Sequence, residues 1–167
     1  MLHKLRFVIA GLVIILINQA VSFAVSASVP DSFRPSGSTR YAVASASDTV
    51  PTSSLTFVNI PNLSQSITIP SGKQGDVFVS FCSQLNVNLP SVFVYARALV
   101  GSSQASPGSM TLDGATYPST QTRCATFYKL NVAEGTKTVR MQWAISNAAA
   151  AVFAYQRSML VTVNIHN

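Results

Sequence analysis

The sequence predicts an all-β fold, an antiparallel two-sheet β-sandwich of jelly-roll type, following an N-terminal signal peptide. Three observations point there. From Leu55 onward, short runs rich in Val, Ile, Phe, Tyr and Thr recur, the residues that fit a pleated, half-buried surface. Turn residues punctuate them at Ile60-Pro61-Asn62, Pro70-Ser71-Gly72, Leu89-Pro90, Ser106-Pro107-Gly108, Asp113-Gly114 and Glu134-Gly135. No segment carries a sustained 3.6-residue apolar period with caps.

The chain opens with Lys4 and Arg6, continues through an apolar run from Phe7 to Ala24, and reaches small residues at Ala24, Ser26 and Ala27. That order predicts a cleaved secretory signal over residues 1–27, with cleavage after Ala27 or after Ala24. The rival reading is a retained membrane anchor. It is disfavoured because a spanning helix wants about 20 predominantly apolar residues, whereas Asn18, Gln19 and Ser22 interrupt this one. Export to the medium or the cell surface is therefore expected, with no membrane contact once the signal is removed.

Residues 28–54 are dominated by Ser, Pro, Thr and Ala, a composition that cannot bury enough apolar surface to order itself. They are expected to form a flexible linker, with a short β segment over 41–46 at the domain edge. Residues 55–167 should form the sandwich, with strands at 55–60, 66–69, 77–87, 92–100, 110–112, 124–132, 138–145 and 152–165. Alternation supports the last two. Val139, Met141, Trp143 and Ile145 share one face, as do Met159, Val161, Val163 and Ile165. With only a short connection rich in small residues between them, these two strands read as a closing hairpin.

Without the signal the chain keeps about 140 residues, enough for one domain with a real core. Lys4 and Arg6 leave with the signal, so nine cations face five carboxylates, a net charge of about +4. No two cations are adjacent, which argues against a nucleic-acid footprint. Cys82 and Cys124 are the only cysteines, and in an exported chain an even pair is read as a disulfide. Closing that loop stabilises by about 4 kcal/mol in the chain-entropy model.

Catalytic candidates are few, and no enzymatic activity is expected. The only histidine after the signal is His166, next to the last residue, which leaves a Ser-His-acid arrangement without a base. Of the carboxylates, Asp31 and Asp48 lie in the linker, while Asp113 and Glu134 sit in turns that backbone geometry explains. A hydrolase would have to pair Asp76 with Asp113 or Glu134 across a cleft. No zinc-ligand cluster or phosphate-cradling glycine loop is present, so neither a metal nor a cofactor is expected.

Three arginines, Arg97, Arg140 and Arg157, fall in mid-strand and are candidate surface or interface contacts, together with Tyr95, Tyr128 and Tyr155. Arg157 is in register with Met159 and Val161. Solvent return through twist or a bulge near the strand start is the plainer account of it, and a polar contact at a subunit interface the functional one. Trp143, the single tryptophan, alternates with Met141 and Ile145 and is expected in the core rather than as a sugar platform. Asn62-Leu63-Ser64 is a formal N-glycosylation acceptor.

The strings Ala133-Glu134-Gly135-Thr136-Lys137-Thr138-Val139-Arg140-Met141-Gln142-Trp143 and Arg157-Ser158-Met159-Leu160-Val161-Thr162-Val163 complete the reading. They resemble the last hairpin of uncharacterised exported bacterial β-sandwich domains and phage fibre heads. Those domains are jelly rolls similar in shape to the complement and tumour-necrosis-factor globular heads, which are often trimeric. The resemblance implies display and binding, and it carries no catalytic residues. The expected function is thus a secreted or surface-exposed binding or structural module whose partner is a glycan or a protein, with homo-oligomers allowed. The alternative is a fibre or pilus-type subunit in which residues 41–60 pair with a neighbour's sheet edge. A third reading is an extracellular carbohydrate-active hydrolase.

Overall fold

The computed structural model describes residues 38–114 and 120–167. The expected signal segment, the first part of the expected linker (28–37) and residues 115–119 with Tyr117 lie outside them. The described residues form β1 (Thr39–Ala46), β2 (Val50–Thr52), β3 (Val58–Val87), β4 (Phe93–Val100), β5 (Ser103–Gln104), β6 (Met110–Gly114), β7 (Gln121–Ile145) and β8 (Val152–His166). All belong to one antiparallel network in the order β1-β8-β3-β7-β4-β5, with β2 joining β8 and β6 joining β4. Among these residues, no helix is long and apolar enough to cross a membrane.

The backbone of the fold is the ribbon of β3 and β7, 30 and 25 residues long, where a usual strand has about five or six. The turn residues at Pro61-Asn62, Pro70-Ser71-Gly72 and Glu134-Gly135 were expected to separate shorter strands. Instead they bend two strands that stay paired, with register shifts between Asn59 and Ser64, Ile69 and Gln74, and Gly75 and Val77. Positive φ at Asn62 (63°), Gly72 (72°), Asn131 (52°) and Gly135 (98°) supplies the local kinks. Glu134 fastens the main corner, accepting hydrogen bonds from the Gly72 amide and from Ser71 Oγ at 3.1 Å. The Gly72 amide, more than Ser71, holds the Glu134 carboxyl below its usual range. Gly75 packs tightly beside this corner: a Cβ there would lie 3.0 Å from both Ile69 Cδ1 and Val163 Cγ1, so those side chains would have to shift.

The corner folds the network into two layers, the device by which a strand passes from one sheet of a sandwich to the other. The first layer holds β1, β8, the 74–87 part of β3 and the 121–132 part of β7. The second holds the 58–69 part of β3, the 135–145 part of β7, and β4 to β6. Between them lies a single apolar core, in which Leu63, Ile69, Val79, Phe81, Phe127, Trp143 and Met159 are almost completely buried. Both alternation patterns hold, since Val139, Met141, Trp143, Ile145, Met159, Val161 and Val163 all face inward.

The closing hairpin is corrected. β7 and β8 do not pair, because β3 lies between them. Their apolar faces meet across the core, and the connection through Asn147 crosses from one layer to the other. That crossing is pinned by Asn88, whose Oδ1 accepts the Ala151 amide at 2.7 Å and whose amide reaches Ala151 O at 3.1 Å.

Strand structure also begins earlier than residue 55. β1 falls where the short β segment was expected and pairs with β8 from Thr39↔Asn164 to Ala46↔Arg157. β2 continues along β8 from Val50↔Ala154 to Thr52↔Val152. The unpaired side of a 15-residue β8 would expose a row of backbone donors and acceptors; β1 and β2 cover it. The outer edge of β1 is tied in turn, with Arg40 donating to Thr68 O at 2.9 Å and Gln65 to Val43 O at 2.8 Å.

Cys82 and Cys124 are disulfide-bonded, with Cα atoms 4.1 Å apart. They are direct cross-strand partners in the β3–β7 ladder. The bond lies on the outer face of the first layer rather than between the layers, with Cys124 exposed and Cys82 half-buried.

Candidate functional site

The six residues singled out in the sequence go to three different places. Arg157 is buried, with its side chain 0% exposed, so neither solvent return nor an interface accounts for it. Its guanidinium is satisfied inside the chain. Nη2 meets Asp48 Oδ1 at 2.8 Å, Nε reaches Pro61 O at 3.1 Å, and Nη1 reaches Tyr155 O at 3.1 Å and also Asp48 O. A buried guanidinium needs this carboxylate and carbonyl set, and it comes from the β1–β2 connection and the Pro61 bulge. Tyr155 is half-buried beside it. Tyr128 is exposed on the outer face of the first layer.

That outer face is largely uncharged. The register places Tyr41, Thr162, Phe78 and Tyr128 in one row across four strands, and Val43, Leu160, Ser80 and Thr126 in the next. Tyr41, Val43, Leu160, Tyr128 and Leu130 are the exposed apolar residues of this face.

Tyr95, Arg97 and Arg140 are brought together on the outer face of the second layer. Pairing of β4 with β7 sets Tyr95 beside Ala144, Arg97 beside Gln142 and Leu99 beside Arg140. The two arginines are therefore diagonal neighbours, with a spacing of about 7–8 Å between their backbones. The Arg97 guanidinium lies over the Phe57 ring, 4.2 Å from its centroid. Its Nε donates to Gln142 Oε1 at 2.8 Å and its Nη1 to Gln104 Oε1 at 3.1 Å. Gln142 Nε2 passes the chain on to Asn59 Oδ1 at 2.9 Å. Arg140 donates one bond, from Nη2 to Gly101 O at 3.3 Å, and its Nε is buried without an acceptor. Such an orphaned donor costs about 1–3 kcal/mol. Phe93 and Tyr95 flank the arginines as a stacked pair with centroids 6.4 Å apart, and Phe93 is 45% exposed.

Among the described residues no carboxylate pairs with Arg97 or Arg140. Both guanidiniums are positioned by neutral groups, an aromatic face, two amides and a carbonyl. Alternation alone places Tyr95 with Arg97, and Arg140 with Gln142. Phe93 falls on the same face by the same alternation, whereas Phe57, Asn59 and Gln104 come from other parts of the chain and meet the arginines' network only in the folded structure.

Asp76 and Glu134 have structural roles. Asp76 accepts the Asn131 amide at 2.9 Å and lies 3.3 Å from His166 Nε2, while Glu134 fastens the ribbon corner. The Asn131 amide is the main cause that holds Asp76 below its usual range, with His166 adding to it. His166 is raised above its usual value by its contact with Asn167 O first and by Asp76 second. The depressed Asp76 contributes stability above its unfolded value of 3.8, which is lost as pH falls through its lower folded value. The raised His166 contributes below its unfolded value of 6.5, and this is lost as pH rises through its higher folded value. The stability difference between the native chain and His166→Gln should therefore be largest between these two values and shrink on either side. Urea midpoints of both proteins across pH 3 to 9 check this, and a difference independent of pH would refute it.

Among the described residues no group of three or more His, Cys, Asp or Glu side chains could hold a metal ion. No protein-family model matches the sequence, and comparison with curated proteins finds no match. Solved structures do resemble it. The VP2 subviral particle of infectious bursal disease virus matches with TM-score 0.55 at 9% identity, over 75% of this chain and 33% of that one. The CBM36-1 domain of a multidomain xylanase from the hindgut metagenome of Trinervitermes trinervoides matches with TM-score 0.40 at 11% identity, over 72% and 96%. The chain thus spans about a third of the VP2 chain. At 9% identity the likeness to VP2 concerns the fold alone, and not ligands or partners.

Proposed function

We propose that this chain is an exported, non-enzymatic β-sandwich that binds an extracellular partner through the outer face of its second layer. The observation that carries the reading is the pair Arg97 and Arg140, held by neutral groups beside the stacked Phe93–Tyr95 pair, of which Phe93 is exposed. Arg157 is matched by Asp48, whereas among the described residues Arg97 and Arg140 have no carboxylate beside them. Export is supported by the signal-like first 27 residues and is compatible with the Cys82–Cys124 bond. The likeness of the 133–143 and 157–163 strings to exported jelly-roll heads points the same way. A hydrolase reading loses support because Asp76 and Glu134 are spent on backbone amides. The fibre reading loses its donor strand, since residues 41–46 pair within the chain's own sheet.

The test is a binding screen of the exported protein on glycan and surface-protein arrays, repeated with Arg97→Gln/Arg140→Gln. The double variant should lose the native signal while Tyr128→Ser, on the opposite face, keeps it. Retention of the full signal by a folded double variant would refute the assignment to this face.

A further inference from the structure

The chemistry of this face also indicates what kind of partner it takes, an inference that rests on the binding role proposed above. We propose that the ligand is an acidic polysaccharide, recognised by its carboxylate or sulfate oxygens. Most unspent hydrogen-bonding groups of the patch are donors. Among the described residues Arg97 Nη2 and Arg140 Nη1 have no acceptor, while Arg140 Nε lacks one but is buried. Asn59 and Gln104 have each used their side-chain oxygen as acceptor, for Gln142 and Arg97, and their amide nitrogens remain. A surface whose unspent groups are mostly donors selects a ligand rich in acceptors. Two diagonal guanidiniums with no carboxylate partner select one that is anionic, since the planar fork pairs with an oxyanion through two parallel bonds.

The aromatic residues narrow the class further. Phe57 covers one side of the Arg97 guanidinium, so an anion must approach along its edge or from the open side. Next to it, the Phe93–Tyr95 pair offers a ring surface with Phe93 45% exposed. The C–H face of a pyranose packs against such a ring, while its hydroxyls and its acidic group reach the amides and arginines beside it. An acidic peptide would satisfy the arginines and leave the aromatic pair without a matching face. The strand spacing of about 4.8 Å arranges the ring, amide and guanidinium groups in sequence over a few sugar units. The face is continuous across β4, β7 and the start of β3, and so suits an extended chain rather than a single small anion.

The experiment is affinity electrophoresis of the exported protein through gels containing polygalacturonate, dextran sulfate, neutral dextran or polyglutamate. Retardation is expected in one or both acidic polysaccharides, absent in neutral dextran, and abolished by 0.5 M salt because the contact is electrostatic. Polygalacturonate and dextran sulfate separate the carboxylate from the sulfate source. Arg97→Gln and Arg140→Gln should each weaken binding about tenfold or more, and Phe93→Ser should weaken it as well. Tyr128→Ser should have no effect. Thermal melting checks that each variant folds. If Arg140→Gln unfolds, the exposed Phe93 and the half-exposed Arg97 still test the same face. Three results would overturn the proposal: no retardation in either acidic polysaccharide, equal retardation in polyglutamate, or retardation that the folded variants leave intact. Array binding to a neutral glycan or a protein that Arg97→Gln abolishes would also overturn it, yet would leave the binding role of this face standing.

Discussion

Replacing Trp143 with alanine is expected to lower the unfolding free energy by about 3–5 kcal/mol. The indole is 1% exposed in the middle of the core, and its neighbours Met141 and Ile145 on the same face are equally buried. Its register partners, Val58 on β3 and Ala96 on β4, flank it on both sides, so the cavity cannot close by movement of a free edge. A small residue there therefore loses the transfer free energy of the ring and leaves a void as well. Urea unfolding of Trp143→Ala against the native chain measures the loss. As the only tryptophan, Trp143 also reports on itself. Its emission should be blue-shifted and barely quenched by acrylamide. A loss below about 1 kcal/mol, or red and readily quenched emission, would mean that the strand register is off by one residue.

Removing the disulfide is the second large effect, expected to cost about 2–5 kcal/mol in Cys82→Ser/Cys124→Ser. The bond joins residues that the ladder already places opposite each other, with paired neighbours running from Val77↔Lys129 to Leu85↔Gln121. Its contribution therefore lies mainly in restricting the unfolded chain across a sequence separation of 42. The native circular dichroism should be unchanged in the double variant while the urea midpoint falls. Because Cys124 is exposed, a thiol reductant should also reach the bond in the folded protein. A double variant with an unchanged midpoint would show that the ladder alone sets the stability of this region.

Much of the fold was legible from local pattern. Alternation at Val139 to Ile145 and at Met159 to Val163 identified the buried faces, because a pleated strand sends successive side chains to opposite sides. The same argument placed Trp143 in the core. The cysteine pair could be read as bonded because both residues fall in expected strands of a chain whose first 27 residues read as an export signal. What could not be read is what a turn residue does once its strand has a partner. Pro61-Asn62, Pro70-Ser71-Gly72 and Glu134-Gly135 look like chain reversals in sequence, yet the strands they interrupt remain paired, so the same residues bend a ribbon. The β7–β8 hairpin failed for a related reason. A short connection permits adjacent pairing, but burying both apolar faces against each other across the core is the larger gain.

The arginines show the division most clearly. By itself the sequence determined that Arg97, Arg140 and Arg157 interrupt strands and that carboxylates are scarce. Only the tertiary structure decided that Asp48 reaches back to Arg157, neutralising a charge that burial would otherwise make costly. It likewise decided that Arg97 and Arg140 share a face without a counter-ion, beside Phe57, Phe93 and Tyr95. Periodicity acts within one strand, over neighbours a few residues apart. The candidate site depends on register between strands more than forty residues apart, and that register is set by how the whole core packs.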